Sequence, residues 1–95
     1  MIPEIEFSGK IWQWRGPAPF YFVTVPEEES NELKALSKMV TYGWGMIPVN
    51  AKIGETKFKT SLFPKDGSYV VPIKSEVRKK EKLSEGDIVT IKLKL

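Results

Sequence analysis

The sequence predicts a mainly β fold: a small closed or nearly closed β-barrel of about six to seven strands with one or two short helices. Three observations point there. Short runs of aromatic and β-branched residues recur along the chain, separated by proline- and glycine-containing turns. Only two stretches have helical character, too little helix to cover the edges of an open sheet, so closure is the economical solution. The chain also echoes itself: Val23-Thr24-Val25-Pro26 precedes a short helix and then a strand, as does Tyr69-Val70-Val71-Pro72. Ninety-five residues make one domain, assigned to residues 1–95, and no interdomain linker or low-complexity tract interrupts it.

The elements follow in order. Ile5 to Trp12 alternates as a first strand, with Gly9 marking a bulge or a close approach of another chain segment. Arg15-Gly16-Pro17-Ala18-Pro19 breaks it, because neither proline donates to a ladder. Phe20–Val25 is aromatic and β-branched, hence a second strand, expected to be buried on both faces. Pro26 suits the first turn of a helix, and Glu27, Glu28 and Glu29 sit where the positive end of the helix dipole favours carboxylates. Leu33, Leu36 and Met39 or Val40 then give a narrow apolar stripe.

Tyr42-Gly43-Trp44-Gly45 reads as a glycine-flanked turn into a strand over Met46–Ile53. Gly54-Glu55 turns the chain into Thr56–Phe63, with Phe58 and Leu62 as core residues. Pro64-Lys65-Asp66-Gly67 reads as a hairpin turn with proline at its first central position. Ser68–Val71 is a strand ending at Pro72. Lys74–Lys82 forms one or two helical turns, and Ser84-Glu85-Gly86-Asp87 leads into a last strand, Ile88–Leu95.

Composition removes several function classes. The chain has no cysteine, so it has neither disulfides nor thiolate metal ligands. It has no histidine, which removes the commonest metal ligand and the usual general base near neutral pH. No metal or cofactor is implied. The longest apolar run, Phe20–Val25, falls far short of the roughly 20 residues a membrane span needs. The acidic start, MIPEIEF, has no basic region followed by an apolar stretch, so no signal peptide is expected, and the expectation is a soluble cytoplasmic protein with no membrane partner.

Charge divides unevenly. Residues 1–50 carry four basic and six acidic side chains, and residues 51–95 carry eleven basic and six acidic, which together give the net +3. A basic half fits an anion or nucleic-acid surface, and equally a set of lysines that solvate strands and guard sheet edges. Lys92 and Lys94 alternate with Ile91, Leu93 and Leu95, which favours solvated surface.

The run Thr60-Ser61-Leu62-Phe63-Pro64 continues through Gly67, Tyr69, Pro72 and Val77-Arg78-Lys79 to Gly86-Asp87. It resembles the bacterial and archaeal domain-of-unknown-function family numbered 1905. The aromatic strand closing on Val-Pro-Glu and the Gly45 to Val49 strand entry fit the same pattern, so the resemblance spans roughly Glu6 to Leu95. The position of Phe58 before Lys59 departs from it. The resemblance implies a small closed β-barrel and no established activity. Val71-Pro72, Val77-Arg78-Lys79 and Leu83 to Val89 are also similar to the swapped-hairpin element of AbrB/MazE-type DNA-binding proteins. There the barrel is shared between two protomers. This chain carries twice the strands and is expected to complete its barrel alone.

Candidate functional residues are few. Arg78 is one of two arginines among fifteen basic residues. Its guanidinium suits bidentate capture of a phosphate or carboxylate, or a structural pairing with Asp87 or Glu76. Thr60 and Ser61 offer hydroxyls, but a serine nucleophile has no evident base here. Consecutive glutamates 27–29 diverge by about 100° each on a helix and do not converge on a metal. Trp12, Trp14, Phe20, Tyr21, Phe22, Tyr42 and Trp44 concentrate in the first half, and Trp12 and Trp14 share a strand face.

Three functions compete. The favoured one is a non-catalytic module binding a small ligand or a protein partner through Arg78, Thr60, Ser61, Trp12 and Trp44. The alternative is nucleic-acid binding, AbrB-like or single-stranded, through Lys74, Arg78, Lys79, Lys80 and Lys82, which is weakened if Glu76, Glu81 and Glu85 interleave on that face. The third is a small hydrolase or transferase built on Ser61, which needs a concave pocket with a lysine or carboxylate in reach.

Overall fold

A computed structural model describes residues 4–17, 20–40 and 45–95, with residues 37–40 described by backbone alone. The strands are β1 (Glu4–Trp14), β2 (Phe20–Thr24), β3 (Ile47–Ile53), β4 (Thr56–Lys65), β5 (Ser68–Pro72) and β6 (Ile88–Lys94). The helices are α1 (Glu27–Val40), between β2 and β3, and α2 (Ser75–Glu81), between β5 and β6. The strands close a barrel in the order β1-β2-β5-β4-β3-β6, and each neighbouring pair is antiparallel.

The barrel follows from strand alternation. Ile5, Phe7 and Ile11 of β1, alternate residues from Ile47 to Ile53 of β3, and Val89, Ile91 and Leu93 of β6 all point inward and are buried. Val23, Leu62, Tyr69 and Val71 complete the interior from the other strands. Two long strands change partners midway. β1 pairs with β6 up to Lys10 and with β2 from Ile11, while β4 pairs with β3 up to Leu62 and with β5 from Phe63. At the first of these corners Gly9 lies against Val23 and the Thr24 carbonyl, so the close approach read from the sequence is real.

The internal echo is a pseudo-twofold. Each half is a β-β-α-β unit, and the two are related at β2 and β5 by an offset of 48 residues (Tyr21 to Tyr69, Val23 to Val71, Val25 to Ile73). Val23 pairs with Val71 at the seam, and two matching bonds flank it: Val25 N–H to the Tyr69 carbonyl and Ile73 N–H to the Tyr21 carbonyl, both 2.8 Å. The β3–β6 seam has the same reciprocity, Asn50 facing Lys94 and Ile53 facing Ile91. Because β2 and β5 are antiparallel, the helices that follow them lie at opposite ends of the barrel.

Several expectations are corrected. β2 is not buried on both faces: Val23 is buried, but Phe20 and Thr24 are exposed, because a strand in a barrel wall has one inner and one outer face. Pro64 does not open the hairpin turn. It pairs with Tyr69 inside the ladder, and the turn is the two-residue Asp66-Gly67, both at positive φ (50° and 80°). Those angles match a type I′ turn, whose twist suits the flanking strands. Met39 and Val40 of the expected stripe fall within α1, but their side chains lie outside what is described, as do Tyr42, Gly43 and Trp44 of the aromatic turn. No helix among the described residues is long and apolar enough to cross a membrane.

Candidate functional site

A groove of about 1110 Å³ opens at the end of the barrel where β1 finishes, β2 begins and β5 hands over to α2. One wall is the outer face of the β1–β2 hairpin, carrying Trp12, Trp14, Phe20 and Phe22. The floor is the outer face of β5, Val70 and Pro72. The opposite wall is β4, with Lys59, Ser61, Phe63 and Lys65. Tyr21, Thr60, Lys74 and Arg78 line its end.

The aromatic wall is built by register. Trp12 pairs with Phe22 and Trp14 with Phe20 across the ladder, which puts four rings on one face. Ring centroids are 5.2 Å apart for Trp12 and Phe22, 6.1 Å for Trp14 and Phe20, and 6.2 Å for Phe20 and Phe22. Trp12 is fixed by its indole N–H, which donates to the Thr24 hydroxyl at 2.9 Å. The Trp14 indole lies where a side chain at residue 16 would stand, so Gly16 admits it. The outer rings remain open to solvent: Trp14 is 45% exposed, Phe20 51% and Phe63, across the groove, 38%. Large rings exposed together in a concave surface are uncommon on a small monomer.

Arg78 supplies the charge. Its guanidinium lies over the Tyr21 ring, 3.8 Å from the centroid, and its Nε donates to the Ile73 carbonyl at 3.4 Å. The two terminal nitrogens have no partner among the described residues. The expected pairing with Asp87 or Glu76 is absent among the described residues. Asp87 instead accepts from the Ser84 N–H at 2.8 Å within its own turn, because that donor is three residues away and already fixed.

The pseudo-twofold shows what the fold alone requires at this position. Forty-eight residues earlier, Ser30 of α1 occupies the equivalent place (Ser30 to Arg78). Its hydroxyl donates to the Val25 carbonyl at 3.2 Å and accepts from the Tyr69 N–H at 3.4 Å. Arg78 contacts the matching residues, Ile73 and Tyr21. Ser30 and Tyr69 are buried, whereas Arg78 and Tyr21 are half-buried. One end of the barrel is thus sealed by a serine and the other carries a cation under an open groove.

Of the residues singled out in the sequence, Trp12, Thr60, Ser61 and Arg78 line this one groove, and Lys74 joins them. Trp44 lies outside the described residues. Lys79 and Lys80 project elsewhere from α2, and at about 100° per residue Glu76 falls between them. Lys82 is the left-handed C-cap (φ 55°), with its N–H on the Arg78 carbonyl. The sequence places Trp14, Phe20 and Phe22 among the aromatics available for a site without assigning them to this one, and it gives Phe63 no site role; the matching alternation of Trp12/Trp14 and Phe20/Phe22 about a proline break is a usable signal. No group of three metal-ligating side chains occurs among the described residues.

The family model described as Domain of unknown function (DUF1905) matches residues 7–93, nearly the whole chain. No curated protein matches it. The chain belongs to the DUF1905 family.

Proposed function

We propose that this member of the DUF1905 family is a non-catalytic binding module whose groove takes a small planar organic anion. The observation that carries the reading is Arg78. The equivalent position in the other half of the fold needs only a buried serine, so barrel closure does not call for a guanidinium there. Its Nε and its face are committed to Ile73 and Tyr21, which orients the two terminal nitrogens toward an incoming carboxylate or phosphate. The exposed aromatic wall offers a stacking surface for the ring of the same ligand. Lys59 and Lys74 add positive charge, Lys65 being paired with Asp66 at 3.2 Å, and no carboxylate is among the described lining residues. The interleaving of Glu76 between Lys79 and Lys80 favours this groove over α2 as the binding surface.

The test is quenching of intrinsic tryptophan fluorescence by adenosine monophosphate and by simple aromatic carboxylates. Saturable quenching is expected. Arg78→Ala should weaken it about 10- to 100-fold, the loss of a charge-assisted bidentate contact. Arg78→Lys should recover little, and Trp14→Ala should weaken it by a further stacking increment of about tenfold. Absence of saturable quenching, or equal affinity in Arg78→Ala, would overturn the reading.

A further inference from the structure

The outer face of β3, β4 and β6 carries a second concentration of charge, adjoining the groove at Lys59. Two cross-strand rows run over it. In one, Lys57 faces Lys52, Lys52 faces Lys92, and Lys92 faces Glu6. In the next, Lys59 faces Asn50, Asn50 faces Lys94, and Lys94 faces Glu4. Like charges directly opposite in a ladder are destabilising, with Cβ atoms about 5 Å apart. Lys52 is flanked by a lysine on each side. Of these five lysines, only Lys92 has a carboxylate within reach among the described residues, Glu6 at 3.8 Å.

Edge protection bears only on Lys57 and Lys59, which lie where β4 pairs with β3 but not with β5; at Lys52, Lys92 and Lys94 the strand has a hydrogen-bonded neighbour on both sides. Solubility does not explain them either, since any mixture of polar residues would serve, whereas the charges of these rows on β3, β4 and β6 are all positive, with Glu6 and Glu4 of β1 at the row ends. We propose that this lysine face binds the phosphodiester backbone of a nucleic acid, without reading its bases. Charge complementarity identifies the partner, and the absence of an apolar centre distinguishes it from a protein. Protein interfaces are organised around buried aromatic or aliphatic anchors and are depleted in lysine. Ile88 and Phe63 share the outer faces of β6 and β4 with these lysines, each four positions away along its strand, and no exposed large apolar residue falls within the two rows. A shallow depression of about 420 Å³ lies among these residues, lined by Asn50 and the lysines together with Ala51 and the half-buried Phe58. Phosphate contacts need only such cations and amides.

The experiment is fluorescence anisotropy with labelled oligonucleotides of about 20 nucleotides, single-stranded and duplex, titrated at rising salt. Five engaged lysines would give a slope of log affinity against log salt near −3.5 on a single strand, roughly a 100-fold loss over a fourfold rise in salt. The combined variant Lys52→Gln, Lys57→Gln, Lys92→Gln should flatten that slope by about 2 and weaken binding at least tenfold at low salt. Its melting temperature should hold or rise, because repulsion is relieved, and Lys52→Gln alone supplies the test should the triple variant not fold. Lys79→Gln with Lys80→Gln should leave binding unchanged. With the duplex, whose bases are not open to stacking in the groove, Arg78→Ala should also leave binding unchanged, which separates this face from the groove. No binding at low salt, binding unaltered in the triple variant, loss of binding through Lys79 and Lys80, or equally tight binding of polyglutamate would each overturn the proposal.

Discussion

A Cβ placed on Gly9 stands 2.6 Å from Val23 Cγ1 and 3.4 Å from the Thr24 carbonyl oxygen. Val23 is fully buried in the β2–β5 seam and has nowhere to move. Gly9→Ala should therefore destabilise the protein by about 1–3 kcal/mol, the usual range for overpacking a filled core. Urea unfolding of Gly9→Ala, Val23→Ala and the double variant checks it: the alanine at residue 9 should cost clearly less once Val23 is truncated, and strictly additive effects would refute the steric account. This glycine was legible in the sequence as a break in an otherwise alternating strand. Arg78 was legible only as an unusual arginine among lysines. Its perch on Tyr21 was not, because the two are 57 positions apart (78 less 21) and meet only after β2 and β5 have paired.

Among the elements, α2 packs on the barrel through the buried Val77, and one carboxylate latches its end. Glu81 accepts from the Thr56 hydroxyl at 2.6 Å and from the Glu55 N–H at 3.3 Å, which ties the helix end to the β3–β4 turn. Gly54 makes room for it: its φ of 57° is left-handed, and a Cβ there would collide with the Glu81 carboxylate. Glu81→Ala should cost about 1 kcal/mol, the lower part of the range for a charged acceptor because the pair is only part-buried. Glu81→Gln should cost less, since an amide oxygen still accepts. Thermal unfolding of the two, with Gly54→Ala expected to be the most damaging of the three, measures the latch; equal stability of Glu81→Ala and wild type would remove it. Element types were readable from turn chemistry and periodicity, including the helix over 74–82 and the Gly86-Asp87 turn. What misled was proline. Pro64 looked like the opening of a turn, yet Asp66-Gly67 already satisfies a two-residue hairpin, and the sheet accommodates Pro64 one step back. The outer face of β2 misled too, since an aromatic run reads as buried until a groove is known to lie beside it.

The whole barrel is interwoven from its two halves. Of the six strand seams in the ring, only β1–β2 and β4–β5 lie within a half; β2–β5, β4–β3, β3–β6 and β6–β1 join one half to the other. Each half alone would expose open edges and most of its inward residues, so neither has a core of its own. Unfolding must then be a single event in which both halves lose structure together. Leu62→Ala makes the case testable. Leu62 is fully buried on β4 at its last pairing with β3, and its truncation should cost about 2–5 kcal/mol. In native-state hydrogen exchange, the slowest amides report global opening, whereas sub-global units report their own smaller free energies. If the halves share one cooperative unit, Leu62→Ala lowers the protection of the slowest amides in β1 and β2 by the same free energy as in β4 and β5. Ile11→Ala, made in the other half, must do the same in the opposite direction. Protection that falls only in the mutated half would mean that the pseudo-twofold units open independently, and that the four shared seams contribute less than the pairings within each half.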